Sequence, residues 1–314
     1  MSSIYVLKAG LLTTVQDLGR PGFAAIGVSA SGAADPISLR LGNRLVGNAE
    51  GAAALEMTLL GGTFVFSQGA VVALTGADFG ASVDDGGEVS IGVSFKLRPG
   101  QTLRLGSTRT GARCYLCVQG GIVVPPFLGS TSTHVLSGTG GFWGRSLRAG
   151  DMLTTGPAAQ VFRRRRIAPP ILELLASRKV LRVTAGPQAA WFSKASRRSF
   201  YLATYRVQEQ SDRVGLRLEG PAVSQNRPRA MITEGVSLGA VQVPPAGSPM
   251  ILFVEQQTTG GYPKMANIIS ADLARLGQLR PRDEIRFELV SWRLARALLI
   301  EQERLMASAE AILE

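Results

Sequence analysis

The sequence predicts a mainly β protein of sandwich or barrel type, and three observations carry that prediction. From Ala53 to Ser94 the chain consists of short apolar runs broken by Gly and Asp, such as 59–66 and 70–74 followed by Thr75-Gly76-Ala77-Asp78. Short, evenly spaced strands of this kind build sandwiches and barrels. A turn-like unit recurs as Leu97-Arg98-Pro99-Gly100-Gln101, Leu147-Arg148-Ala149-Gly150-Asp151 and Leu279-Arg280-Pro281-Arg282-Asp283, each delivering the chain into a strand. Finally, 314 residues at 45% apolar content favour two domains, each with its own core.

In chain order, residues 4–7 read as a first strand. Residues 10–22, with Gln16, Asp17, Gly19 and Arg20, are too polar for a core element and dense in hydrogen-bonding groups. A helix follows. Asp35 stands at the N-cap and Pro36 at the first helical position, where a missing N–H costs nothing. Ile37, Leu41 and Leu45 form one apolar stripe, and Gly47 suits the position beyond the C-cap. Amides at this helix start, beside Ser31 and Gly32, read either as an anion or oxyanion site or as plain capping. Glu56, between Leu55 and Met57, must be paired or at a site if buried. Composition shifts near 157–178, where Arg163-Arg164-Arg165-Arg166 and Ala168-Pro169-Pro170 occur. This gives a first domain at 1–160, a linker at 161–178 and a second domain at 179–290. Ser270 is expected to cap a short helix ending near Gly277. In 291–314, Leu294, Leu298, Leu305 and Ile312 recur at helical spacing, predicting an amphipathic helix.

The totals exclude several classes. The charge is +11, from 34 Lys and Arg against 23 Asp and Glu, but the arginines are scattered. The single run 163–166 carries no interleaved aromatics and reads as a solvated linker, so no nucleic-acid role is expected. No apolar stretch is long enough to span a bilayer, and the N-terminus reads as a strand instead of a signal peptide. A cytoplasmic protein, off the membrane, is expected. Cys114 and Cys117 are spaced C-x-x-C, but in a strand context residues three apart face opposite ways, so two reduced buried thiols are expected and no metal site. His134 is the one histidine, which disfavours histidine-dependent triads. The glycines of 138–144 do not match a dinucleotide fingerprint, and no Gly-Lys dipeptide is present for a phosphate loop.

The chain's most chemical stretch is Glu255-Gln256-Gln257-Thr258-Thr259-Gly260-Gly261-Tyr262-Pro263-Lys264, following the apolar run 250–254. Carboxamides and hydroxyls donate and accept, and paired glycines allow close backbone approach. Two readings stand: a polar loop capping a barrel, or a site for a neutral amide, lactam or ureido group.

Six motifs occur in order. They are Thr13-Thr14-Val15-Gln16-Asp17-x-Gly19-Arg20, Ser31-Gly32-Ala33-x-Asp35, Leu45-Val46-Gly47-Asn48, Gly129-Ser130-x-Ser132-Thr133, Ser211-Asp212-Arg213-x-Gly215-x-Arg217-Leu218-x-Gly220-Pro221 and Gln257-Thr258-Thr259-Gly260-Gly261-Tyr262-Pro263. Together they resemble the biotin-dependent carboxyltransferase family, also called KipA-like or allophanate hydrolase subunit 2, over roughly residues 5–290. The resemblance implies a mainly β chain of two cyclophilin-like β-barrel domains with a few short helices, the C-terminal amphipathic helix being extra. Ala34 and Val214 stand where the family usually has Met, and Arg282 where the third turn usually has Gly.

The resemblance also implies a role as the C subunit of an ATP-dependent 5-oxoprolinase complex converting 5-oxoproline to glutamate. The expected partners are two further subunits, one KipI-like and one LamB/YcsF-like. No cofactor is expected on this chain, with ATP handled by the complex and the chain inactive alone. One alternative is the carboxyltransferase component of a biotin-dependent urea or small-amide carboxylase, with biotin on a separate chain. Another is a non-catalytic KipA-like antagonist of a KipI-like partner. In the leading reading Gln257, Thr258 and Tyr262 hold the amide-like group, with Thr259 beside them. Arg213, oriented by Asp212, neutralises a carboxylate, and Asp35 with the amides beside Ser31 and Gly32 serves a developing oxyanion. Gln16, Asp17 and Arg20 complete the expected substrate-binding set.

Overall fold

In the computed structural model, which describes residues 2–84, 87–158, 161–175, 179–226 and 231–314, the chain is mainly β, as expected. It forms two compact units: Met1–Arg20 with Ser31–Ala176 and Ala307–Glu314, and Pro21–Ala30 with Ser177–Met306. Residues 21–30 thus lie with the second unit and the C-terminal residues with the first, which consecutive blocks do not represent. The last expected linker residues, 176–178, lie outside the described residues. No helix among the described residues is long and apolar enough to cross a membrane.

In the first unit, a seven-stranded and a five-stranded sheet share one core. Val6, Phe64 and Leu103 come from one sheet, and Val15, Leu55, Leu74 and Leu116 from the other. The strand Thr63–Phe66 alternates between half-buried and buried residues, whereas every residue of Arg113–Val118 is buried. The reason is a second layer. Helix α1 (Pro36–Leu45) packs on the outer face of the five-stranded sheet, so that sheet is covered on both sides. Gly42 makes this possible: a Cβ there would lie 2.5 Å from Cys117 Sγ and 2.7 Å from Thr75 Oγ1. Cys114 instead joins the core between the sheets. The two thiols therefore face opposite ways, both free and buried, and burial pushes both well above the ordinary thiol range.

The repeated turn is one hydrogen-bonded device used three times. Arg98 N–H donates to Gln101 Oε1, Arg148 N–H to Asp151 Oδ2 and Arg280 N–H to Asp283 Oδ2, at 2.8, 2.7 and 2.9 Å. In return the N–H of Gln101, Asp151 and Asp283 donates to the carbonyl three residues back. The residue between them is left-handed, with φ 78° at Gly100, 92° at Gly150 and 71° at Arg282. Arg282 is strained by its Cβ, at a cost of about 1 kcal/mol. Its ion pair with Glu209 is exposed and offsets less than that. Arg282→Gly is therefore expected to raise stability by a few tenths to about 1 kcal/mol, read as a higher midpoint in thermal melts. A lower midpoint would show that the ion pair outweighs the strain.

The arginine run is solvent-exposed at Arg163, Arg164 and Arg166, in keeping with a solvated face, but its backbone is tied down. Arg166–Ile167 pairs with Ile312–Leu313, Arg163 and Arg165 reach the Glu314 carboxylate, and Arg165 O accepts from Ser94 N–H. Backbone pairing and opposite charge hold it against the first unit.

The second unit is a closed barrel. Around the ring run Val180–Ala185, Lys264–Ile268, Ala240–Gln242, Met250–Leu252, Gly215–Glu219, Tyr205–Val207 and Glu284–Leu289, and the last closes in parallel on the first. A separate two-stranded ribbon pairs Glu234–Gly235 with Thr259–Gly260. The terminal helix covers Trp292–Ala307 and ends before Ile312, which is in the short strand described above. Its packed face is Ala295, Leu298, Leu299, Gln302 and Met306, with Leu294 exposed. That face contacts Ile269, Ala271 and Val290 of the same unit, and Gln302 Nε2 donates to Ala271 O at 3.0 Å. The expected apolar stripe is thus displaced toward Ala295, because helix rotation follows the surface available. Ser270 makes no capping hydrogen bond; Ile269 precedes that turn as its N-cap residue.

Candidate functional site

In the first unit, Gln16, Asp17, Arg20, Ser31 and Gly32 are brought together with residues 130–133. Asp17 is the hub. Its Oδ1 accepts from Gly19 N–H, Ser130 Oγ and Ser132 Oγ at 2.7, 2.6 and 2.5 Å, and Oδ2 accepts from Thr131 N–H and Thr131 Oγ1 at 2.6 and 3.0 Å. Burial alone would raise this carboxyl, but the Ser130, Ser132 and backbone hydrogen bonds outweigh it and hold it below the ordinary range. Arg20 donates to Phe127 O and Ser132 O and lies over the Phe127 ring. Gln16 Nε2 and Ser31 Oγ both donate to Thr133 O, at 3.0 Å each. Gly32, at φ 96°, admits the approach of Gly19, whose N would lie 2.9 Å from a Cβ there. These groups fasten one loop to another, and Asp17 is saturated as an acceptor.

The helix start is likewise occupied. Ala34 N–H donates to Glu56 Oε2 at 2.8 Å, and Asp35 N–H to Tyr115 Oη at 2.7 Å. Tyr115 is kept protonated by burial, with the charges of Glu56 and Asp35 acting in the same direction, and its O–H donates to Glu56 Oε2 at 2.7 Å. Arg113 faces the same carboxylate, with Nε 3.5 Å from Oε1. The chain's own Glu56 thus takes the Ala34 amide and Tyr115 the Asp35 amide, so neither of these two amides is open to an outside anion. The Asp35 carboxylate caps its helix, accepting from Ser38 N–H and Ser38 Oγ at 3.0 and 2.6 Å.

In the second unit, Asp212 does not orient Arg213. Its Oδ1 accepts from Val214 and Gly215 N–H at 2.8 and 3.1 Å, an Asx-type turn, while Arg213 Nε donates to Glu255 Oε1. Both members of the Arg213–Glu255 pair are buried. Neighbouring residues in an extended turn point apart, which separates Asp212 from Arg213. Gln257 and Thr259 are exposed, Thr258 is half-buried, and the Tyr262 ring is 45% exposed. These residues lie on or beside the ribbon, available to a ligand.

Beside them lies a set of residues that sequence reasoning missed. Lys264, buried in the barrel wall, pairs with Glu234 on the ribbon. Gln188 links both, donating from Nε2 to Glu234 Oε1 at 3.0 Å and accepting Lys264 N–H on Oε1 at 3.1 Å. The Lys264 ammonium beside it, followed by the Gln188 hydrogen bond, holds the Glu234 carboxyl below its ordinary range. Gln242 is the cross-strand partner of Lys264. The sequence carries little signal for them, since Gln242 ends one short strand and Lys264 opens another that also holds Asn267. Among the described residues no group of His, Cys, Asp and Glu has the make-up of a metal site.

Comparison with known proteins gives a consistent outcome. The description "carboxyltransferase domain, subdomain A and B" matches residues 26–289. The C subunit of the 5-oxoprolinase of Haemophilus influenzae is 39% identical over 300 residues, covering 96% of this chain and 95% of that protein. The C subunit of the Escherichia coli 5-oxoprolinase is 40% identical over 299 residues, covering 95% and 94%. The crystal structure of the K. lactis urea amidolyase superposes with a TM-score of 0.90 at 31% identity, covering 99% of this chain but 21% of that one.

Proposed function

Because the chain belongs to the carboxyltransferase domain family, subdomains A and B, we propose that it acts as the C subunit of an ATP-dependent 5-oxoprolinase. The observation that carries this reading is end-to-end similarity: the two 5-oxoprolinase subunits match over nearly the whole of both chains. The urea amidolyase match covers a small part of a much longer protein, so it supports a shared domain more than a shared reaction.

In this reading the reaction opens the lactam of 5-oxoproline to glutamate. A lactam carbonyl is a weak electrophile, so its opening is coupled to ATP. The reading assigns ATP to one of the partners, the LamB/YcsF-like or the KipI-like subunit, and assigns this chain no cofactor. The chain's task is to bind and orient the amide. The exposed Gln257, Thr259 and Tyr262 and the half-buried Thr258, on or beside the ribbon, have the chemistry for it, since carboxamide and hydroxyl groups pair with an amide's donor and acceptor alike. The Asp17 and Glu56 networks act as scaffold.

The test is reconstitution. This chain, purified with its KipI-like and LamB/YcsF-like partners, is expected to release glutamate and ADP in step when given 5-oxoproline and ATP. Turnover of urea with a biotin carboxylase, and none of 5-oxoproline, would favour the carboxyltransferase alternative. Tight binding of the KipI-like partner without turnover of either substrate would favour the antagonist.

A further inference from the structure

Gln242 is 0% exposed, yet neither its Oε1 nor its Nε2 has a hydrogen-bond partner among the described residues. Leaving such groups unpaired costs about 1–3 kcal/mol each, and a native protein that keeps them in place calls for an explanation. The surroundings supply one. Gln242 and Lys264 are cross-strand partners where the antiparallel register shifts at Val241 and Gln242, and the ribbon pair Glu234–Gly260 meets both, Glu234 at Lys264 Nζ and Gly260 at the Gln242 carboxamide. Gly260 of the ribbon covers Gln242 so closely that a Cβ there would lie 2.6 Å from Nε2. Lys264 is 3% exposed and anchored in the barrel wall, whereas the Glu234 side chain that neutralises it is 45% exposed on the ribbon. The cation is therefore built in, and its counter-charge comes from a peripheral element.

We propose that Lys264 and Gln242 form a binding site for a small cis-amide that carries a carboxylate, with Glu234 filling the carboxylate position until the ligand displaces it. The exchange conserves charge. A ligand carboxylate takes the place of Glu234 at Lys264 Nζ and can accept the Gln188 Nε2–H that Glu234 now holds. Gln242 recognises the amide. In a lactam the N–H and C=O lie on the same side, so a primary carboxamide can donate to one and accept from the other in a closed pair. A trans amide cannot present both. Because Gln242 and Lys264 are neighbours, the ligand's amide and carboxylate must be neighbours too. 5-Oxoproline meets every condition, and the inference rests on the oxoprolinase reading for that choice of probe.

The full chain is titrated calorimetrically with 5-oxoproline, with 2-pyrrolidinone, which lacks the carboxylate, and with N-acetylglycine, whose amide is trans. The expected result is that 5-oxoproline binds at least about tenfold more tightly than either, a difference of about 1.4 kcal/mol. Glu234→Gln, which removes the internal competitor from an exposed position, is expected to tighten binding severalfold. Gln242→Met and Lys264→Met are expected to abolish it. No binding at millimolar 5-oxoproline, equal binding of the three compounds, or no response to Glu234→Gln overturns the site. The two ideas fail separately. Turnover of 5-oxoproline by a complex carrying Gln242→Met with unchanged KM rejects the site and leaves the oxoprolinase reading intact. Binding that follows the expected order without turnover by the complete complex does the reverse.

Discussion

Arg213→Ala lowers the stability of the barrel unit by about 3–5 kcal/mol, the expected cost of stranding one member of a buried ion pair. Arg213 and Glu255 have side chains 5% and 3% exposed, and they also tie the chain together through Glu255 N–H donating to Arg213 O at 2.8 Å. Losing the guanidinium leaves the Glu255 carboxylate without its cation in a place where water cannot replace it. A substrate-binding arginine would behave otherwise, costing activity and sparing the fold. Hydrogen exchange at the amides of Leu216 and Ile251, paired strand residues next to this corner, separates the two. Faster exchange in Arg213→Ala, partly restored when Glu255 is also replaced by Leu, is the expected result. Unchanged exchange with lost activity would return Arg213 to the site.

Asp17→Asn is expected to cost the first unit about 3 kcal/mol at neutral pH, the scale of one lost charge-assisted hydrogen bond with a donor left facing another donor. Every acceptor position of Asp17 is in use, so an amide nitrogen at either oxygen meets Ser130 and Ser132 or Thr131 head-on. The pH dependence has a definite sign. The folded-state pKa is depressed, so the stabilisation is complete above the unfolded-state value of about 3.9. It is lost as pH falls through the lower, folded-state value. Protein and variant should therefore differ most at neutral pH and converge below about pH 4. Parallel unfolding curves across that range would mean that the charge of Asp17 contributes nothing.

What was legible in the sequence was local. Asp35, Pro36 and Gly47 bound helix α1 because capping is decided within a few residues. Glu56 stood out because a carboxylate in an apolar strand must have a partner. The β character followed from strand length and spacing. What was hidden depends on contacts between distant parts of the chain. Asp17 meets Ser132 across 115 positions and Arg163 meets Glu314 across 151, and no periodicity signals either. Asp212 and Arg213 are misleading in the other direction, since adjacency in sequence implied a pair that the backbone turn separates. Gln242 and Lys264 read as ordinary strand positions until the sheet register placed them opposite each other.

The central claim is that this chain is a necessary part of an ATP-driven lactam opening. Subtraction tests it most directly: glutamate formed from 5-oxoproline and ATP is measured with the KipI-like and LamB/YcsF-like partners alone, and again with this chain restored. Glutamate that appears only when the chain is present is the predicted result. Equal glutamate formation in its absence would contradict the claim.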